Sequence, residues 1–277
     1  MTVPFSLSQS SLQDYVDCPR RFQLRYVDRL AYPAIESEPA LENEQRQREG
    51  EFFHRLVRQY LTGISSERVG KLANAPNLQR WWDNFLADPS LQGLKDLGNL
   101  HAESALSAPL GNFRLLAKYD LVVMREHKAI IYDWKTYRKR PRNEWLAARM
   151  QTRVYRALLV QAGASLNGGD IFEPEQIEMI YWFADFPNDP ARFAYTPAQY
   201  ERDWSALLKL ADEIQIALQR PQDGFPLTDD EARCLYCPYR SYCERGVYAG
   251  KADEADAELE ADESFNLDFE QIGEIAF

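Results

Sequence analysis

The chain has 277 residues, 45% of them hydrophobic, and a formal net charge of -11. This length and apolar share exclude a disordered or fibrous protein and suffice for one large domain or two small ones. Residues 251–277 hold ten acidic residues and one basic residue, so that segment carries -9 and the rest of the chain -2. The acidity is therefore concentrated in the tail.

The sequence also predicts the cellular location of the protein and the limits of its domain. No apolar run approaches the roughly 20 residues that span a bilayer, and the first residues lack the pattern of a signal peptide. We expect a soluble, cytoplasmic protein without membrane contact, with one domain over residues 1–248 and a mobile acidic tail over 249–277. Apolar residues within that tail could dock a protein partner or occupy a basic groove, although a solvated tail is the favoured interpretation.

The N-terminal half predicts helices. Ser8 is placed to cap a first helix, and Pro19 suits the first turn of a second, basic one. Apolar residues recur at helical spacing over residues 42–62, and a further helical stretch surrounds residues 78–86.

The central and C-terminal parts alternate strands and helices. The pattern predicts strands at 100–108, 112–124 and 128–135, a helix at 144–162, a strand at 177–184 and a helix at 197–219. Helices flanking a central sheet define an α/β or α+β fold. After residue 221 the chain reads as a loop.

Two acidic residues and a lysine converge in the predicted hairpin. If its turn is centred between positions 126 and 127, Asp120 and Asp133 face each other on adjacent strands. Lys135 lies two residues beyond Asp133 and points to the same face, whereas Trp134 points to the opposite one. Facing carboxylates repel unless a cation lies between them.

This arrangement predicts a metal-dependent site. Carboxylate oxygens suit Mg²⁺ or Mn²⁺, which activate water and bridge a phosphate, and an ammonium stabilises developing oxyanion charge. The implied reaction is hydrolysis of a phosphodiester. The alternative is a solvated strand face on which acids and lysines alternate by chance.

A basic cluster follows the hairpin directly, and at the mouth of a phosphate-cleaving site it would clamp a DNA backbone. Tyr137 and Trp145 bracket it and could stack bases, or could equally belong to the core. A solvated loop is the alternative for the cluster. Its members are Arg138, Lys139, Arg140 and Arg142.

All four cysteines form one pattern, with one near the N-terminus and three within ten residues near the C-terminus: Cys18, Cys234, Cys237 and Cys243. Since a cytoplasmic chain does not keep disulfides, the pattern predicts a metal site, either a [4Fe–4S] cluster or Zn²⁺. Such a site closes a loop of more than two hundred residues, whose entropic cost is roughly 5 kcal/mol.

The order of these residues and motifs along the chain resembles that of the PD-(D/E)xK nuclease superfamily. The resemblance is to the RecB-like branch, which includes the nuclease domain of AddB and CRISPR-associated exonucleases. The segment Gly50–His54 matches the first motif of that branch, which implies that His54 is a metal ligand. Asp120 matches the acid of the second motif, although Ala117 replaces its usual glycine. Asp133-Trp134-Lys135 matches the third motif.

The resemblance also implies individual roles and a fold. Asp120, Asp133 and the backbone carbonyl of Trp134 would bind the metal, and Lys135 would be the catalytic lysine. Gln151 and Tyr155 match a Gln-x-x-x-Tyr motif and lie on one helix face. The implied fold is restriction-endonuclease-like, with a central mixed sheet flanked by helices.

The cysteine spacing is that of the iron–sulfur members of this branch, which favours a [4Fe–4S] cluster that joins the two ends of the chain, with Zn²⁺ as the alternative. The segment from Cys18 to Phe22 resembles their N-terminal motif. It supplies Arg20 and Arg21 as further DNA-binding candidates.

The expected activity is that of a Mg²⁺- or Mn²⁺-dependent exonuclease on single-stranded DNA or DNA ends, in repair, recombination or CRISPR adaptation. One alternative is a catalytically silent DNA-binding or scaffolding subunit with the same fold. Another is an interaction protein stapled by zinc. The sequence does not indicate an oligomeric state.

Overall fold

A six-stranded mixed sheet forms the centre of the computed structural model, which describes residues 6–31, 40–97, 99–125, 128–220 and 222–246. The predicted tail and the two residues at the centre of the hairpin turn lie outside these ranges. The strands are β1 (Ser6–Ser8), β2 (Leu100–Leu110), β3 (Phe113–Arg125), β4 (Lys128–Lys135), β5 (Ile177–Phe183) and β6 (Ala191–Ala194).

Strand β3 organises this sheet. It pairs with β2 along most of its length, and its other edge pairs with β1, in parallel, at 114–116 and with β4, antiparallel, at 121–125. The sheet continues from β4 through a parallel β5 to an antiparallel β6. The edge of β3 at residues 117–120 therefore lies in a gap between β1 and β4.

Helices cover both faces of the sheet. They are α1 (Gln9–Asp17), α2 (Pro19–Phe22), α3 (Ala40–Leu61), α4 (Ser66–Gly70), α5 (Pro76–Ala87), α6 (Asn143–Ala148), α7 (Met150–Ala162) and α8 (Pro197–Leu218). A π-helical turn at Gln23–Val27 extends α2, and a 3₁₀ turn at Glu231–Tyr236 carries the C-terminal cysteines.

Each face of the sheet has its own apolar core. One core joins the sheet to α1, α7 and α8, with fully buried residues such as Tyr119, Ile131 and Leu158. The other joins it to α3, α4 and α5 around the aromatic residues Phe53 and Trp182. The two-sided burial makes the sheet a rigid support for residues at its strand ends.

The predicted mixed sheet flanked by helices is confirmed. Ser8 caps α1 through a reciprocal pair of hydrogen bonds with Ser11, and Pro19 begins α2, as its fixed φ favours. The strands β1 and β6 were not predicted, because three or four residues are too short to show a period.

The prediction of one continuous helix over 144–162 is wrong. The backbone at Arg149 is extended, with φ -65° and ψ 145°, and separates α6 from α7. The Met150 N–H donates to Gln13 Oε1 of α1 at 3.0 Å instead of to a helical carbonyl. A tertiary hydrogen bond thus begins a new helix where the local sequence favours continuation.

Among the helices that the structure describes, none is long and apolar enough to cross a membrane.

Candidate active site

The predicted acidic residues lie at the gap beside β3. The β3–β4 ladder has the predicted register, but its last pair is Leu121 with Tyr132, one position before Asp120 and Asp133. Beyond that pair the Trp134 N–H donates to Asp120 Oδ2 at 2.8 Å. A side-chain carboxylate therefore replaces the backbone acceptor where the strands separate.

The carboxylate of Asp120 also contacts α3. His54 Nδ1–H donates to Asp120 Oδ1 at 3.1 Å, and both side chains are about five-sixths buried, at 16% exposure. Burial raises the pKa of Asp120, whereas the His54 ring, the Trp134 N–H and Lys135 lower it. The lowering effects are larger together, so the pKa lies below its ordinary value. Asp120 is therefore ionised at neutral pH.

Asp133 and Lys135 form a buried ion pair on the same side of β4. Lys135 Nζ lies 2.9 Å from Asp133 Oδ2, and the two residues are only 4% and 2% exposed. Gln151 of α7 donates to Asp133 Oδ1 at 2.7 Å. Trp134 points into the opposite core, as its intermediate position on the strand predicts.

Aromatic rings surround the ammonium of Lys135. Its Nζ lies 5.9 Å from the centre of the Tyr137 ring and 5.8 Å from that of Tyr181, distances at which ring faces attract cations. Burial, followed by the charge of Asp133, raises the pKa of the Tyr181 hydroxyl. The hydroxyl therefore stays neutral and hydrogen-bonds with Thr152 Oγ1 at 2.8 Å.

Tyr155 has a different place from its motif partner Gln151. It is buried, and its hydroxyl donates to the Lys118 carbonyl at 2.7 Å, on the β3 edge that neither β1 nor β4 pairs. Gln9 of α1 donates to the same hydroxyl at 3.4 Å. Tyr155 thus closes the gap next to Asp120 through its contact with the β3 backbone.

A small pocket opens beside Lys135. Its walls come from α1, from the segment after β4 and from the α6–α7 junction, and they include Gln9, Gln13, Tyr137, Trp145 and Arg149. The Arg149 guanidinium stacks on Trp145 with its carbon 4.6 Å from the ring centre. Gln9, Gln13 and Arg149 were not predicted, since only the tertiary fold brings α1 to this place.

The four basic candidates after β4 do not line the pocket. Arg140 packs over the Phe183 ring and donates to the Asp189 carbonyl at 3.1 Å. Arg142 and Lys139 are exposed, and Arg138 is half-buried. Their proposed contact with DNA stays a prediction.

The two N-terminal candidates have internal partners. Arg20 donates to Gln23 Oε1 at 2.6 Å, and Arg21 pairs with Asp14 at 2.8 Å and with Asp17 at 3.0 Å. Burial lowers the pKa of Arg21, but the two aspartates raise it by more, so its charge is retained. Arg21 stabilises the N-terminal helices in this arrangement, and a role in DNA binding stays a prediction.

Glu103 of β2 lies opposite Asp120, between the pairs Ala102–Leu121 and Ser104–Tyr119. Its φ is 56°, a conformation that costs about 1 to 2 kcal/mol for a residue with a side chain. Its carboxylate pairs with Lys118. The β2 ladder is thus interrupted at the position of the site.

The four cysteines are reduced and gather from both ends of the described chain. Burial is the main cause that raises the pKa of Cys237 to about 11; the Tyr239 N–H and Arg21 oppose it, and Cys18 and Cys243 add smaller contributions. Burial and then Cys18 also raise the pKa of Cys234 and of Cys243. These thiols are therefore protonated at neutral pH in the absence of a metal.

An ion pair connects the N-terminal and C-terminal cysteine segments. Asp17, next to Cys18, pairs with Arg233, next to Cys234, and hydrogen-bonds with Gln13 of the pocket at 2.9 Å. In the ranges that the structure describes, however, no three His, Cys, Asp or Glu side chains are arranged to hold a metal ion. Metal sites at the cysteines and at Asp120 stay predictions.

A comparison with protein families gives a match over residues 6–244 to the model of the PD-(D/E)XK nuclease superfamily. The chain belongs to this superfamily. Nucleic acid is thus the substrate class of this nuclease, and members of the superfamily generally use Mg²⁺ or Mn²⁺. The iron–sulfur branch is not established by this match.

Among solved structures, 22 chains match this nuclease. A crystal structure from Eubacterium rectale named "Putative exonuclease" has a TM-score of 0.53 and 10% identity, with 92% of this chain and 93% of that chain covered. The structure of SSO0001 has a TM-score of 0.41 and 16% identity, with coverages of 89% and 90%. No match was found among curated protein sequences.

The chemical types of the donors in this nuclease suit a divalent cation, although in the described ranges they are not arranged around an ion. Asp120 and Asp133 supply carboxylate oxygens on adjoining strands, and His54 supplies an imidazole nitrogen that already contacts Asp120. Acidic side chains in a buried place are unfavourable as carboxylates without positive charge nearby. Lys135 supplies part of that charge to Asp133, and a divalent cation would supply more.

Proposed function

We propose that this chain is a Mg²⁺- or Mn²⁺-dependent deoxyribonuclease that degrades single-stranded DNA from an end. The observation that carries the proposal is the convergence of His54, Asp120, Asp133 and Lys135 at the point where β3 and β4 separate. One remote helix, α3, and the two strands of one hairpin supply these side chains. Chance surface charges would not be held by such a set of mutual contacts.

The residues have distinct tasks in this proposal. His54, Asp120, Asp133 and the Trp134 carbonyl hold the cation, which when bound polarises a phosphate and lowers the pKa of water. The Lys135 ammonium pairs with Asp133 at 2.9 Å, and it would stabilise the negative charge that develops on the attacked phosphate.

Positioning residues support these tasks. Gln151 holds the Asp133 carboxylate in one orientation through its 2.7 Å hydrogen bond. Tyr155 acts at one remove, since it fixes the β3 edge through the Lys118 carbonyl. The two members of the motif thus act on neighbouring parts of the site rather than on one substrate atom.

The pocket beside Lys135 supports a preference for single strands and ends. Trp145, which is half-buried at the pocket wall, would offer a ring on which an unpaired base stacks, and Arg149 would offer a charge for the backbone. The Eubacterium rectale neighbour is named as an exonuclease, which agrees with action at an end.

The proposal includes a [4Fe–4S] cluster on Cys18, Cys234, Cys237 and Cys243, with Zn²⁺ as the alternative ion. Support comes from the mutual effect of the thiols on each other's pKa and from the Asp17–Arg233 pair that joins their segments. The cluster would be structural, because the cysteines lie outside the pocket that contains Lys135.

The test is a cleavage assay on end-labelled single-stranded and duplex DNA with Mg²⁺, Mn²⁺ or chelator. Lys135→Ala should abolish cleavage yet keep DNA binding, whereas Lys118→Ala is the matched control, a lysine of the adjoining strand that pairs with Glu103. Metal-dependent cleavage that survives in Lys135→Ala would reject the assigned site. Iron and sulfide analysis after anaerobic purification tests the cluster separately.

A further inference from the structure

A second pocket lies across the α6–α7 junction from the catalytic pocket. Its volume is about 550 Å³, within the range of ligand sites, and its walls come from α6, α7, β6 and α8. Leu146 lines the catalytic pocket, whereas the next residue, Ala147, lines the second one. The two pockets are therefore neighbours.

Arginine dominates this second pocket, which we call the arginine pocket. Arg153 and Arg156 of α7, Arg192 of β6 and Arg202 of α8 line it, and Asp203 is the one acid among its described lining residues. The chain as a whole carries -11. A concave surface with excess positive charge focuses the field and attracts anions.

The inner arginines are held in place before any ligand arrives. Arg153 pairs with Asp203 at 2.7 Å, and Arg156 donates to the Ala194 carbonyl at 3.0 Å. The Arg156 guanidinium carbon also lies 4.3 Å from the centre of the Tyr195 ring. Fixed guanidinium groups lose little freedom on binding a phosphate, to which they present two donors at once.

The outer arginines remain accessible. Arg192 is 48% exposed and lies 3.5 Å from Glu178, a weak contact in water, and Arg202 is exposed on α8. Their guanidinium groups can exchange such contacts for phosphate oxygens. The charge at the rim is thus available to a backbone that enters from solvent.

Aromatic contacts connect the arginine pocket to the catalytic lysine. Phe193, in the wall of the arginine pocket, packs edge-on against Tyr181 with ring centres 6.0 Å apart. Tyr181 is the ring whose centre lies 5.8 Å from Lys135 Nζ. Gln151 and Arg153 lie two positions apart on α7, one in each pocket.

We infer that the arginine pocket binds the sugar–phosphate backbone of single-stranded DNA whose end lies in the catalytic pocket. This inference rests on the proposed nuclease function and extends it to a specificity for strand length. A substrate too short to reach the arginine pocket lacks these contacts. Longer strands gain them, and Phe193 adds a surface for base stacking.

The test reverses the two rim charges in Arg192→Glu/Arg202→Glu. The matched control is Arg68→Glu/Lys71→Glu, the same charge change on exposed residues beside α4, which packs on the opposite face of the sheet. Cleavage is measured over a series of single strands from the dinucleotide upward. We expect kcat/KM to fall about tenfold or more for long strands and to be unchanged for the shortest ones that are cleaved.

Binding gives an independent arm. In a Lys135→Ala background, fluorescence anisotropy should show weaker binding of long strands, and the salt dependence of log K should decrease by about 1.4 for two lost phosphate contacts. Arg192→Lys/Arg202→Lys keeps the charge and should restore most of the affinity. Titration with inorganic phosphate tests whether the pocket takes any free anion instead.

The outcomes separate this inference from the proposed function. The unmodified protein could cleave no DNA while the anisotropy measurements still give the expected losses of affinity. The nuclease function would then be rejected, and the arginine pocket would remain assigned as a site for the DNA backbone. An equal loss at every strand length, the same loss in the control, or an effect on inorganic phosphate alone would overturn the pocket as a backbone site. Unchanged binding and cleavage of long strands would overturn it as well.

Discussion

Asp120 Oδ2 accepts the backbone N–H of Trp134 at 2.8 Å, and this bond joins two strands one step beyond their last ladder pair. It fixes the carboxylate relative to the two residues on either side of that N–H, Asp133 and Lys135. The predicted metal ligands Asp120 and Asp133 and the predicted catalytic lysine are therefore held in fixed relative positions at the ends of two buried strands. Substitutions at Asp120 should affect both stability and chemistry.

Asp120→Ala and Asp120→Asn separate these two effects. Both remove the charge and should reduce cleavage at least a hundredfold, as expected for loss of a metal ligand. Only Asn keeps an oxygen for the Trp134 N–H, so we expect Ala to be less stable than Asn by about 1 to 3 kcal/mol. Urea unfolding of both metal-free variants measures the difference, and equal stabilities would show that the hydrogen bond contributes nothing.

Gln151→Leu tests a positioning role. The variant leaves Asp133 Oδ1 without the 2.7 Å hydrogen bond from α7, so the carboxylate should hold the cation less firmly. We expect the Mn²⁺ concentration for half-maximal cleavage to rise about tenfold or more, with most of kcat recovered at saturation. Gln161→Leu, an exposed glutamine of the same helix, is the control. A fall in kcat that Mn²⁺ does not relieve would contradict the role.

Part of this site could be predicted from the sequence because its determinants are local. The hairpin register follows from the position of one turn, and alternation on β4 separates Trp134 from Asp133 and Lys135. The helical period placed His54 at the edge of the apolar face of α3. In each case a few neighbouring residues decide the geometry.

Other features depend on contacts between distant segments, so no periodic pattern in the sequence indicates them. The break at Arg149 depends on Gln13, 137 positions away from Met150. The gap along β3 arises because β1 and β4 share one edge of that strand, and β1 has only three residues. The arginine pocket likewise collects charges from α7, β6 and α8 that look unrelated along the chain.

Gly50→Ala should disturb the approach of α3 to the end of β4. A Cβ at this buried position would lie 2.9 Å from Thr136 Oγ1, too close for either group to stay in place. Alanine normally stabilises a helix interior by about 1 kcal/mol over glycine, but here we expect a loss of about 1 to 3 kcal/mol. Cleavage should fall too, because α3 carries His54.

The double variant Gly50→Ala/Thr136→Ala provides the internal control. Removing the Thr136 hydroxyl relieves the close contact, so alanine at position 50 should then cost little or even stabilise the helix. The coupling energy between the two positions comes from urea unfolding of all four proteins. Additive effects would show that the contact does not limit the packing of α3.

Cys234→Ala tests the proposed cluster with little loss of packing, because this cysteine is only half-buried. If a metal centre joins the two ends of the chain, the variant should lose metal and become less stable by up to about 5 kcal/mol, the entropy of closing so long a loop. Metal-depleted unmodified protein is the control and should match the variant. Full stability and a full metal content in the variant would refute a ligand role for Cys234.

Asp185 joins α3 and α5 of the second core to the ends of the strands. Its carboxylate accepts from Arg46 at 2.8 Å, from Arg80 at 2.8 Å and from Trp81 Nε1 at 2.9 Å, and Arg46 also donates to the Thr136 carbonyl. Asp185→Ala leaves the mostly buried Arg46 without its carboxylate partner. We expect the free energy of unfolding to fall by about 3 to 5 kcal/mol.

Arg80→Ala is the matched control, because Arg80 is 49% exposed and its pair with the same carboxylate is largely in water. Its loss should cost no more than about 1 kcal/mol. Urea unfolding compares the two variants, and cleavage should fall only in Asp185→Ala, since Arg46 and His54 lie on the same helix. Equal destabilisation by both substitutions would contradict this prediction. It would mean that Asp185 stabilises the protein through its exposed pair with Arg80 and not through its pair with Arg46 of α3.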